Sequence, residues 1–217
     1  MNPKAAIISQ LLDPGIIAVV RAPSPDLVRP LSEALVQGGV IAIEITLSTP
    51  DALRAIRDTT AALGNRALIG VGTVLNPGEC SAALEAGAQF IVSPILRPEL
   101  VPLAHQAERP VMLGAYTPTE AQLAHESGAD FVKLFPADTL GPDFIKSLLA
   151  PLPHLRFVPT GGIELHNAAK FLGAGAAALG VGSALVSKAI LQHKNWPELT
   201  RLAQAFVQAA HSRPAAA

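Results

Sequence analysis

Eight short runs rich in Val, Ile, Leu and Ala fall at residues 16–21, 42–47, 67–74, 90–94, 111–116, 131–136, 156–160 and 177–182, with helical patterns in the intervals between them. This alternation leaves few architectures open. Strands joined through helices pair in parallel and bury both faces. Half of the 217 residues are hydrophobic but only 4% are aromatic, so the core must be built from Ala, Val, Leu and Ile, which suits parallel strands under helices. A helix is predicted over 24–36. Thr49-Pro50, Asn76-Pro77 and Thr117-Pro118-Thr119-Glu120 read as caps with a first-turn proline before helices at 51–63, 78–85 and 121–127. Gly38-Gly39, Gly64, Gly87, Gly128 and Gly173 follow helical patterns, as left-handed C-terminal glycines would.

Unbroken βα rhythm predicts one α/β domain over residues 1–217, a (β/α)8 barrel. The leading stretch Pro3–Leu12 is an extra helix placed to close the bottom, and residues 213–217 are a frayed tail. An open doubly wound sheet is the competitor, because periodicity does not count closure. No Gly-x-Gly-x-x-Gly follows the first strand, where a dinucleotide site would need it.

A formal net charge of −1 removes the electrostatic case for nucleic acid or an anionic membrane. No run of about 18 apolar residues occurs, and the first residues lack an apolar core and cleavage site, so a cytoplasmic protein is expected. The single cysteine, Cys80, excludes an internal disulfide. The six histidines show no zinc-type grouping with it; His105 and His125 read as exposed helix residues, and no metal or other cofactor is expected.

Lys133 is the only charge in Phe131-Val132-Lys133-Leu134-Phe135-Pro136. Enclosure by apolar neighbours disfavours an ammonium, and a neutral amine is what attack on a ketone requires, so Lys133 reads as a Schiff-base nucleophile. The plain alternative is an edge-strand lysine with its stem over apolar neighbours. Glu44, between Ile43 and Ile45, is the second such contradiction. If both point into the barrel, the carboxylate can relay protons for the amine. A buried structural ion pair is the competing reading, and it would hold the lysine protonated.

Reacting groups in such barrels come from strand C-terminal ends and the loops beyond. Pro159-Thr160-Gly161-Gly162 ends the seventh strand and Gly180-Val181-Gly182-Ser183-Ala184 the eighth, where backbone N–H groups can approach a phosphate. Arg21 closes the first strand and Thr73 the third; together they could hold a carboxylate, although taken singly they read better as a surface arginine and an ordinary strand-end threonine. Pro94 and Phe135 would supply apolar walls, and Tyr116 would shape the far end of the site.

Five segments in order carry a resemblance: residues 38–46 around Glu44, 70–76 around Thr73, 90–94 ending in Pro94, 132–137 around Lys133, and 159–163 around Gly161-Gly162. Together they resemble the class I aldolases that cleave 2-keto-3-deoxy-6-phosphogluconate (KDPG) and 4-hydroxy-2-oxoglutarate (KHG), over residues 16–206. The resemblance implies a metal-free (α/β)8 barrel, assembled as a homotrimer. It places Lys133 as the Schiff-base lysine and Glu44 as the acid/base. It sets Thr73 on the pyruvate carboxylate, with Pro94 and Phe135 beside the pyruvyl group, and puts phosphate at Gly161, Gly162, Gly182 and Ser183. Many members carry an arginine four residues after the glutamate; here that position is Ser48, and Arg21 fits the pattern of members that place it after the first strand.

The reaction implied is KDPG to pyruvate and glyceraldehyde 3-phosphate, with KHG to pyruvate and glyoxylate as a second activity. Alternatives are an aldolase for the galactonate epimer, against which Thr46 weighs slightly, a sugar-phosphate isomerase or synthase with an electrostatic Lys133, or a non-catalytic phosphometabolite-binding barrel.

Overall fold

The computed structural model describes residues 3–212. Helix α1 (Pro3–Leu12) precedes β1 (Ile16–Val20), α2 (Val28–Gln37), β2 (Ala42–Thr46), α3 (Ala52–Leu63), β3 (Leu68–Gly72) and α4 (Pro77–Glu85). Then come β4 (Ile91–Val92), α5 (Leu100–Gln106), β5 (Val111–Ala115), α6 (Pro118–Glu126), β6 (Phe131–Leu134) and α7 (Gly141–Leu149). The chain ends with β7 (Phe157–Pro159), α8 (Leu165–Gly173), β8 (Leu179–Val181), α9 (Lys188–His193) and α10 (Trp196–His211). The expected strands overshoot by a residue or two, because apolar sequence continues past the last ladder bond.

All neighbouring strands are parallel, in the order β7-β6-β5-β4-β3-β2-β1-β8. A bridge between Thr160 and Gly180 joins the outermost strands, so the sheet closes and the doubly wound alternative falls. The tail expected at 213–217 lies outside the described residues.

Strand parity sorts the core into two clusters. Ile43, Ile45, Ile69, Val71, Leu113 and Val132 point outward against the helices. Ile17, Leu68, Phe90, Met112, Phe131 and Val158 point inward and pack with Ile7 and Leu11 of α1, which plugs the lower mouth of the barrel.

The cap readings hold at two of three places. The Asn76 side chain accepts from Glu79 N–H, and Thr117 with Glu120 forms a full capping box. Thr49 does not cap α3; Asp51 holds that position, and the Thr49 hydroxyl instead accepts from the Ala22 amide at 3.1 Å, tying the β2 loop to the β1 loop.

Two glycine readings are corrected as well. Gly38 has φ −84°; its missing side chain serves α10, since a Cβ there would meet Ala203 and the Thr200 carbonyl. Gly173 is the last residue of α8, and the left-handed turn comes at Gly175, φ 101°. His125 is exposed, but His105 is half-buried and bonds Asp130 at 2.9 Å. Among the described residues no helix is long and apolar enough to cross a membrane, and no three His, Cys, Asp or Glu side chains group to hold a metal ion.

Candidate active site

Lys133 and Glu44 lie 89 residues apart in sequence, yet Lys133 Nζ stands 3.3 Å from Glu44 Oε1 inside the barrel. They keep only 5% and 3% of their surfaces accessible. Room for two polar side chains in a packed interior comes from glycines at inward positions. Lys133 is registered with Gly114 on β5, Glu44 with Gly70 on β3, and Thr46 with Gly72. A Cβ at Gly72 would strike the Glu44 carboxylate, one at Gly114 the Pro94 backbone, and one at Gly180 the Thr160 hydroxyl. Adding a methyl at any of these would displace chemistry or backbone rather than a flexible side-chain end.

An amine and a carboxylate at this separation can exchange a proton directly once substrate carries the amine through its intermediates. A resting ion pair has the same geometry. What distinguishes the site is its surroundings. Phe135, two residues on from Lys133, sets its ring centroid 5.6 Å from Nζ. That ring also lines a cavity of about 490 Å³ at the top of the barrel, with Val19, Arg21, Thr160, Gly161, Gly162, Gly182, Ser183 and Lys188 among its other walls. Lys133, Glu44, Thr73 and Pro94 do not themselves line that cavity; Phe135 lines it and also stands over the Lys133 amine.

Gly161 (φ 91°) and Gly162 (φ 70°) both occupy the left-handed region, and a side chain at Gly162 would collide with Asp138. Their amides donate to no other group among the described residues, so both remain available to bond a ligand. Gly182 has open space around its Cα. Thr73 also sits at positive φ, 65°, directly after β3. A threonine held there is strained, and strain of this kind collects at ligand-binding positions. Pro94, half-buried, follows β4 next to the buried Ser93.

Arg21 is exposed at the end of β1, and its Nε donates to Ser48 Oγ at 3.0 Å. Ser48, four residues after Glu44, is therefore bonded to an arginine from the neighbouring strand. Tyr116 does not line the cavity, and its hydroxyl bonds Thr139 Oγ1 at 3.1 Å. Cys80 is buried in the outer core cluster and does not line the cavity, and burial pushes its thiol up to about 11.

Several cavity residues are not marked by the sequence, Thr160 and Lys188 among them. Thr160, expected as the last residue of the seventh strand, is buried, lines the cavity and closes the barrel. Lys188, at the start of α9, adds a cation beside Gly182 and Ser183 and forms no ion pair among the described residues. The one available signal was its position shortly after the glycine-bearing loop of the eighth strand.

Residues 7–202 match the family described as KDPG and KHG aldolase. A 2-dehydro-3-deoxy-phosphogluconate aldolase of Pseudomonas aeruginosa is 37% identical over 82% of this chain and 80% of its own length. A 2-dehydro-3-deoxy-6-phosphogalactonate aldolase of Escherichia coli is also 37% identical, over 78% of this chain and 83% of its own. Among solved structures, the KDPG aldolase of Legionella pneumophila, with pyruvate captured as a covalent carbinolamine, superposes with a TM-score of 0.83 at 32% identity, covering 88% of this chain and 93% of that one.

Proposed function

This chain belongs to the KDPG and KHG aldolase family, and from that premise we propose that it is a class I aldolase cleaving KDPG to pyruvate and glyceraldehyde 3-phosphate. The observation that carries the reading is the buried Lys133–Glu44 pair at 3.3 Å, in an interior cleared by glycines.

Lys133 Nζ adds to the C2 ketone, and Glu44 hands over the protons needed to expel water from the carbinolamine. The protonated imine then accepts the electron pair of the C3–C4 bond as that bond breaks and the C4 hydroxyl loses its proton. Glyceraldehyde 3-phosphate leaves. The enamine is protonated at C3, and hydrolysis of the imine returns pyruvate and the free amine. A neutral enamine replaces an unstabilised carbanion, which is what the covalent route supplies; the imine is the electron sink, so no metal is needed. Arg21 and Thr73 hold the carboxylate, Pro94 and Phe135 flank the pyruvyl group, and Gly161, Gly162, Gly182 and Ser183 hold the phosphate, with Lys188 beside them. KHG, which lacks the phosphate, would give pyruvate and glyoxylate by the same steps.

The galactonate-type relative, equal in identity to the gluconate-type one, keeps the C4 epimer as a second substrate. We further infer a cytoplasmic homotrimer. Leu75, Ile95 and Tyr116, which follow the adjacent strands β3, β4 and β5, are each exposed and supply apolar surface for self-association.

Incubation with pyruvate and borohydride, followed by intact-protein mass measurement, tests the mechanism. One reduced pyruvyl adduct is expected on the wild type and none on Lys133→Ala, which should also have no turnover. A folded wild-type protein that forms no adduct would overturn the reading in favour of a sugar-phosphate isomerase or synthase.

A further inference from the structure

Ser48 lies at the centre of a chain of hydrogen bonds whose direction can be worked out. Thr46 is fully buried at the end of β2, and its hydroxyl donates to the Val20 carbonyl at 3.1 Å. That uses the only proton on Thr46 Oγ1. The 2.8 Å contact between Thr46 and Ser48 therefore has Ser48 as donor. Ser48 Oγ, its own proton given to Thr46, is left as an acceptor and takes the Arg21 Nε–H at 3.0 Å. The chain returns to β1 one residue before it left, because Val20 precedes Arg21. Every hydroxyl proton is used once, and no alternative pattern satisfies the same distances.

The consequence concerns the guanidinium. With Nε engaged, Nη1 and Nη2 form no hydrogen bond or ion pair with any other described residue, and the side chain lines the cavity. Those two nitrogens make an end-on fork that matches a carboxylate with two parallel bonds. An exposed arginine without such an anchor would sample many rotamers and lose that freedom on binding. We infer that Ser48, backed by Thr46, is a positioning residue that pre-orients Arg21 for the substrate carboxylate; this rests on the aldolase reading above.

The test is the pyruvate concentration giving half-maximal borohydride-trapped adduct, together with steady-state cleavage. Ser48→Ala, an exposed position whose loss does not threaten folding, should raise half-saturation and KM about 3–10-fold with kcat within about twofold, the pattern of lost uniform binding. Ser48→Thr keeps the hydroxyl and should recover most of the loss. Adduct formation with hydroxyacetone, a ketone without a carboxylate, should be unaffected by Ser48→Ala. The double variant with Arg21→Ala should be no weaker than Arg21→Ala alone. Equal losses for pyruvate and hydroxyacetone, or additive effects with Arg21→Ala, would overturn the positioning role. Failure of the wild type to form any adduct would remove the aldolase reading and this inference together, an outcome distinct from either of those.

Discussion

The lower and upper halves of the barrel interior are built on opposite rules. Below, Ile17, Leu68, Phe90, Met112 and Phe131 fill the space, and Ile7 and Leu11 of α1 seal it. Above, two or four residues further along the strands, Glu44, Thr46, Lys133 and Thr160 point inward against Gly70, Gly72, Gly114 and Gly180. The lower half holds the strands in register by close packing. The upper half gives up packing so that a carboxylate and an amine can stand side by side. A (β/α)8 barrel can thus divide its labour along the strand axis, with stability at the N-terminal ends and chemistry at the C-terminal ends.

Three substitutions test that division. Glu44→Gln removes the proposed proton shuttle while keeping its shape, and should lower kcat by about 10²–10⁴-fold; thermal melting beside the kinetics checks that the fold survives. A rate loss fully accounted for by unfolding would erase the distinction between the halves. Leu11→Ala opens a cavity in the plug and should cost about 2–5 kcal/mol in chemical denaturation, with kcat of the folded fraction unchanged. If instead kcat fell in parallel, the plug would belong to the chemistry. Lys188→Ala acts at the far rim of the cavity and should raise KM for KDPG about tenfold, the scale of one charge-assisted hydrogen bond. KHG, which has no phosphate, should respond little, and an equal response would place Lys188 outside the proposed phosphate site.

Lys133 and Glu44 were legible in the sequence because each is a lone charge in an apolar strand, a contradiction visible within five residues. The glycine loops after β7 and β8 were legible because their glycine pairs stand directly at the ends of strand patterns. Ser48 was visible only as a departure, and its bond to Arg21 depends on how β1 and β2 are registered, with Val20 opposite Ile45. Thr49 and Gly38 were misread because each serves a distant partner: the Ala22 amide in one case and the face of α10 in the other. Local rules for caps and turns describe a residue's neighbours in the chain, and these two answer to neighbours in space.

By itself, then, the sequence determined the eight βα units, the strand parity that separates inward from outward residues, and the two charged side chains that had no ordinary reason to be where they are. Tertiary structure alone decided that the sheet closes through Thr160 and Gly180, that Lys133 meets Glu44 across 89 residues, and that Arg21 is held by Ser48. Propensity and periodicity act over a few residues, whereas closure and cross-strand contacts depend on register summed around the whole barrel.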